Sequence, residues 1–193
     1  MFAALAAALT IGLGLGAWSA FAYINGDVGA LKLRNGQWTT DPAIGSMDAG
    51  VYTRAAIARR GLLALAKEET VYFFTDRDSQ GRRFAPNCYY RFEGNALPAR
   101  WWSYTLYAED DFLAGNGDSA FSVSASTVSW EVDGAFHVDI GPVRQSASNW
   151  LSSRDAGAFS LTVRMYNPEL SVIDDPATVS LPSVERLHCS GNA

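Results

Sequence analysis

Residues 159–166 read FSLTVRMY, and apolar and polar side chains alternate through the whole stretch. A β-strand turns successive side chains to opposite faces. Phe159, Leu161, Val163 and Met165 therefore share one face, and Ser160, Thr162, Arg164 and Tyr166 the other. A half-buried strand needs neighbours of the same pattern, and the chain supplies them upstream. Val71–Phe74, Cys88–Phe92, Arg100–Tyr107 and Phe121–Ala125 all keep a period of two or run apolar between turn-forming residues. Trp130 and Val132 lead into Asp133-Gly134, a two-residue hairpin signal, and Phe136, Val138 and Ile140 lead out. Val184–Cys189 is expected to close the chain as an edge strand. Strands in succession, joined by short turns, predict a mainly β, antiparallel sandwich.

One helix is expected before the strands, over Asp48–Glu69. Tyr52, Ala55, Ala56, Leu62, Leu63 and Ala66 fall to one side, and Arg54, Arg59, Arg60 and Lys67 to the other. Ser46 or Asp48 can cap its start, and Gly61 weakens its middle. Residues 25–47 read as a polar connector, in which Trp38 is expected to dock on the domain because leaving so large an apolar ring in water is costly.

At the head of the chain, Phe2–Ile24 carries no charged side chain. As a helix it would run about 34 Å, enough to cross a hydrocarbon core. Ala4, Ala8, Gly12, Gly16 and Ala20 recur every fourth residue and form one smooth stripe, suited to close approach by another helix in lipid. Leu5, Leu9, Leu13 and Trp18 face the other way. Two readings stay open, a retained transmembrane anchor and a signal peptide cleaved after Ala20-Phe21-Ala22. The apolar run is long for a signal peptide and no Lys or Arg precedes it, which favours the anchor. Either reading exports the rest of the chain. The expected division is a transmembrane helix or signal peptide over 1–24, a connector over 25–47 and an exported sandwich domain over 48–193.

Composition agrees with a folded exported domain. Six Trp, eight Tyr and ten Phe in 193 residues exclude disorder, and a net charge of −5 with scattered basic residues excludes a nucleic-acid surface. The two cysteines, Cys88 and Cys189, fit no zinc or C-x-x-C spacing. In an oxidising compartment they are expected to pair, closing a loop of roughly 100 residues worth ~4–5 kcal/mol in the chain-entropy model.

Trp102-Ser103 followed by Tyr107, then Asn149-Trp150-Leu151, Gly157-x-Phe159 and Arg164-x-Tyr166-x-Pro168, resemble the bacterial family called domain of unknown function 1214. The resemblance runs from the expected helix to the C-terminus. It implies a jelly-roll-like β-sandwich. Larger members carry this module behind a second domain, and short ones consist of one apolar N-terminal helix and one module. Ser152 stands where the family often has Pro, and Leu181-Pro182 where it often has Trp. The family has no agreed activity, so the resemblance implies a shape and not a reaction.

Chemical signatures are sparse. Asp76-x-Asp78-x-Gln80-Gly81 copies half of a calcium loop, but Asn87 stands where the closing Glu belongs, so a hairpin loop is expected. His137 and His188 are the only histidines, and no His, Asp and Glu cluster suggests zinc. No nucleophile elbow, P-loop or dinucleotide fingerprint occurs. Arg164 and Tyr166 form the one polar pair that suggests a ligand face, through bidentate capture of a carboxylate. The structural alternative pairs Arg164 with an acid across the sheet. No catalytic residue, cofactor or metal is expected. The reading is a non-catalytic, membrane-anchored periplasmic accessory subunit of a larger bacterial membrane complex, whose partners are lipid and the transmembrane helices of other proteins. The alternative is a periplasmic sandwich enzyme or small-ligand binder of unknown substrate.

Overall fold

The computed structural model describes residues 2–25, 33–59 and 64–191. In chain order the elements are α1 (Phe2–Asn25), β1 (Leu33–Asn35), β2 (Trp38–Thr40), α2 (Val51–Arg59), β3 (Thr70–Thr75), β4 (Cys88–Gly94) and β5 (Ala99–Tyr107). They continue as β6 (Ser122–Ser124), β7 (Phe136–Gly141), β8 (Trp150–Ser152), β9 (Ser160–Pro168), α3 (Leu170–Asp174) and β10 (Val184–Cys189). The strands build two sheets, a six-stranded one in the order β1-β2-β3-β9-β5-β6 and a four-stranded one in the order β10-β4-β7-β8. The protein is a mainly β sandwich behind one apolar helix.

The alternation of FSLTVRMY is carried directly into β9. Val163 pairs with Phe73 on one side and Tyr104 on the other, and all three are fully buried. Facing them from the second sheet are Tyr90, Phe92, Val138, Ile140 and Leu151, each at most 1% exposed. Rings dominate this interior: Phe92 lies 4.8 Å from Tyr104, and Trp102 stacks on Phe136 at 5.2 Å. Phe159, just ahead of β9, stacks on Phe84 at 4.9 Å.

Four expectations are corrected by tertiary structure. Strands β1 and β2 lie inside the stretch read as a connector. Three residues each are too few to show a period, yet they extend the sheet, and Trp38 is 1% exposed with its indole N–H donating to Pro182 O at 2.8 Å. Of the helix expected over 48–69, the described residues show α2. Arg60, Gly61, Leu62 and Leu63 fall outside the described residues, and residues 64–69 are not helical. There the Leu65 N–H donates to the Tyr72 hydroxyl at 3.2 Å, and Glu69 and Thr70 both donate to Ala66 O, a turn that feeds β3. The turn at Asp133-Gly134 forms, with Gly134 at φ +85°, but residues 130–132 are not a strand. The Asn149 carboxamide instead ties Ser129, just ahead of that segment, to β7, donating to Ser129 O and His137 O at 2.9 Å each. Finally, the sheets are not wholly antiparallel, because β8 pairs with β7 in parallel.

Strand directions define two ends. At one end β3 and β5 begin, β9 stops, and α2 joins β2 to β3; Leu33, which pairs with Thr40, brings the chain in from α1 at this same end. The opposite end carries the disulfide between Cys88 and Cys189, which are direct partners on β4 and β10. β10 is the edge strand expected from the sequence.

Candidate functional site

The outer face of the six-stranded sheet was the expected ligand face, and β9 places Arg164 and Tyr166 on it. Arg164 sits opposite Ser103 and Tyr72, and Tyr166 opposite Trp101 and Thr70. The Arg164 guanidinium donates to the Tyr107 hydroxyl at 2.7 Å and lies 5.3 Å from the centre of that ring. Among the described residues no carboxylate comes within ion-pair distance of it. Tyr166 meets Trp101 edge-on at 5.2 Å, and the Trp101 N–H donates to the Ser126 hydroxyl at 2.8 Å. The pair is thus braced by aromatic neighbours rather than by an acid across the sheet. Neither cavity described below is lined by Arg164 or Tyr166.

A groove of 470 Å³ opens where the β4–β5 loop faces the segment after α3. Glu93, Asn95, Ser171, Thr178 and Ser180 give it hydroxyl, amide and carboxylate groups, and Val172, Val179 and Leu181 give it an apolar wall. It has one carboxylate and no cation, so it suits a neutral polar ligand better than an anion. A second cavity of 20 Å³, below Pro42 and Ile44, is too small for more than a water molecule or so. Sequence reading missed the groove because its lining comes from two loops some eighty residues apart, and loop residues follow no period.

The calcium-like loop holds its own counter-charges. The Asp78 side chain is fully buried and accepts from the Gln80 N–H at 3.0 Å, the Arg82 N–H at 2.9 Å and Arg82 Nε at 2.8 Å. Arg186 Nε lies 3.3 Å away without hydrogen-bond geometry. Burial raises the Asp78 pKa, but these donors outweigh it and hold the carboxyl below its ordinary value. On the second sheet Arg91 grips Asp139 through two bonds of 2.6 and 3.0 Å, and this carboxylate raises the Arg91 pKa. His137 faces Glu131 at 2.5 Å, and His188 stacks on Tyr89 at 4.6 Å. Among the described residues no three His, Cys, Asp or Glu side chains converge as metal ligands.

The motifs that carried the family resemblance each have a packing role. Asn149 ties the loop at Ser129 to β7, Trp150 donates to Gly141 O at 3.2 Å, and Leu151 is fully buried. Gly157 sits at φ +65°, where a side chain would meet Glu109 Oε2 at 2.7 Å. Asn167, between Tyr166 and Pro168, adopts φ 45° and donates its N–H to Glu69 O at 2.7 Å.

Comparison with known proteins agrees with this geometry. The chain is similar to the VPA0106 protein of Vibrio parahaemolyticus, at 22% identity and a TM-score of 0.59, over 72% of this chain and 36% of that one. It also aligns with an uncharacterised protein of Burkholderia cenocepacia at 16% identity and a TM-score of 0.40, over 65% of this chain and 31% of that one. The chain therefore spans about a third of the length of these structures. No curated protein matches. The family described as "Protein of unknown function (DUF1214)" matches residues 69–170, from the turn ahead of β3 to the start of α3 and so across both sheets, and the chain belongs to that family.

Proposed function

We propose that this protein is a membrane-anchored, periplasmic, non-catalytic accessory or structural subunit of a larger bacterial inner-membrane complex. The observation that carries the reading is α1. Phe2–Ile24 is long and apolar enough to cross a membrane, and none of its apolar window is buried in the chain itself. Gly12 and Gly16 have open space where a Cβ would stand, so nothing in the described chain requires glycine there. The stripe of Ala4, Ala8, Gly12, Gly16 and Ala20 is then a surface for the transmembrane helix of another protein. The disulfide supports an oxidising compartment.

The test is the native size of the protein extracted from its own membranes in mild detergent, with co-migrating chains identified by mass. Co-migration with a larger assembly, Met1 retained, is expected. Replacing Gly12 and Gly16 with Leu should release the protein from the assembly while leaving it in the membrane. A small lone species, or a mature chain beginning at Tyr23, would refute the reading.

The groove of 470 Å³ favours a second reading, a periplasmic small-ligand binder or enzyme, with the ligand between Glu93 and Thr178 rather than on the Arg164 face. Glu93→Gln should weaken binding of a neutral polar ligand found by a thermal-shift screen, whereas Arg164→Ala should not.

A further inference from the structure

We propose that the end of the sandwich carrying α2 rests on the bilayer surface, with Met47, Val51, Leu65 and Leu170 entering the interfacial layer beside α1. This rests on the membrane-anchor reading above. These four side chains are 90%, 76%, 40% and 75% exposed. Single exposed apolar residues are ordinary on any protein. Here they come from three separate segments, the turn and helix between β2 and β3, the turn ahead of β3, and the start of α3. Strand topology brings all three to the end at which the chain arrives from α1.

One contact ties this end to α1, and a second fixes the turn beside it. Tyr23, near the C-terminal end of α1, packs against Tyr52 of α2 with ring centres 5.2 Å apart. Arg54 of α2 donates to Met47 O at 2.6 Å and so fixes the turn that presents Met47. If α1 spans the bilayer, Tyr23 lies at the headgroup level, where aromatic rings are favoured. α2 is then held at the same depth. Its exposed face, with Val51 and Tyr52 beside Arg54 and Arg59, has the mixture of apolar, aromatic and cationic groups that suits an interface. Across these segments the exposed cations Arg54, Arg59 and Lys67 are outnumbered by the exposed carboxylates of Asp48, Glu68, Glu69 and Glu169, so there is no positive excess to draw anionic headgroups. The contact therefore depends on apolar insertion and not on headgroup charge.

The test uses the full chain with its disulfide intact, carrying the environment-sensitive fluorophore NBD on Met47→Cys, Leu170→Cys or Phe112→Cys. Phe112 is 71% exposed and follows the far end of β5, so it serves as the distant control. The variants are reconstituted into phosphatidylcholine vesicles, or into vesicles of equal parts phosphatidylethanolamine and phosphatidylglycerol, with and without doxyl-labelled lipid. Several-fold stronger quenching at 47 and 170 than at 112, similar in both lipid mixtures, is expected. Protein that floats with the vesicles but is quenched no more at 47 and 170 than at 112 overturns this proposal alone. A blue-shifted but unquenched probe would mean that another protein surface covers this end, which also overturns it. A chain that does not float with vesicles overturns the anchor and this proposal together.

Discussion

At the scale of single residues, two buried polar groups carry opposite expectations. Asp78 has its donors supplied, and folding favours its charged form. Its folded pKa lies below the ordinary 3.8, so its contribution is complete above that value and is lost as pH falls through the folded pKa. Asp78→Asn should cost about 2 kcal/mol at neutral pH and flatten the acid limb of the stability curve, read by urea melts from neutral pH down past the carboxylate range. Tyr104 is the contrary case. Its hydroxyl is buried and meets no protein hydrogen-bond partner among the described residues, and burial pushes its pKa upward, so it stays neutral. Tyr104→Phe should leave stability unchanged or raise it by up to about 1 kcal/mol. A loss beyond about 2 kcal/mol would mean that the hydroxyl is held by a hydrogen bond. Neither case was legible in the sequence. Asp78 read as half a calcium loop, and what distinguishes it from a ligand is the donors at Gln80 and Arg82 that already fill its lone pairs.

At the scale of elements, the least legible part is the segment between β2 and β3. Gly45 sits at φ +77°, and an added Cβ would lie 1.8 Å from Leu65 O. The two arms of this segment are therefore packed backbone against backbone, an arrangement only glycine permits. Gly45→Ala should destabilise the domain by at least about 2–3 kcal/mol, since both conformation and contact oppose it. Gly36→Ala is the matched control: φ is +60° but the space is open, so about 1 kcal/mol is expected. Thermal melts of the two variants side by side decide the point. The helix expected over this segment followed a periodicity that included Tyr52 and Ala66. In the fold Tyr52 turns to Tyr23, and Ala66 O accepts the N–H groups that begin β3. Tertiary contacts override the local pattern there, as they do just ahead of residues 130–132, where the Asn149 carboxamide bonds both backbone groups of Ser129 and the His137 carbonyl.

At the scale of the whole molecule, the disulfide joins residues 101 apart and fixes the last strand to β4. Replacing Cys88 and Cys189 with Ser should lower stability by about 4 kcal/mol, because the unfolded chain regains the freedom of a long loop. For a chain of this size that is a fall in Tm of roughly 10 °C, checked by scanning calorimetry with and without reductant. The edge strand β10 should lose amide protection first.

The sequence by itself determined the class of this protein. Period-two alternation in 159–166 and its neighbours specifies half-buried strands, the uncharged head of the chain specifies an apolar helix, and spaced family motifs such as Asn149-Trp150-Leu151 place it among its relatives. These are local patterns, and local patterns survive in a linear text. Only the tertiary structure decided that Trp38 belongs to the sheet, that Arg164 answers to Tyr107, that two distant loops form a groove, and that four exposed apolar side chains gather at the end nearest α1. Each depends on residues tens of positions apart meeting in space, and no periodicity or spacing encodes which distant partner will be there.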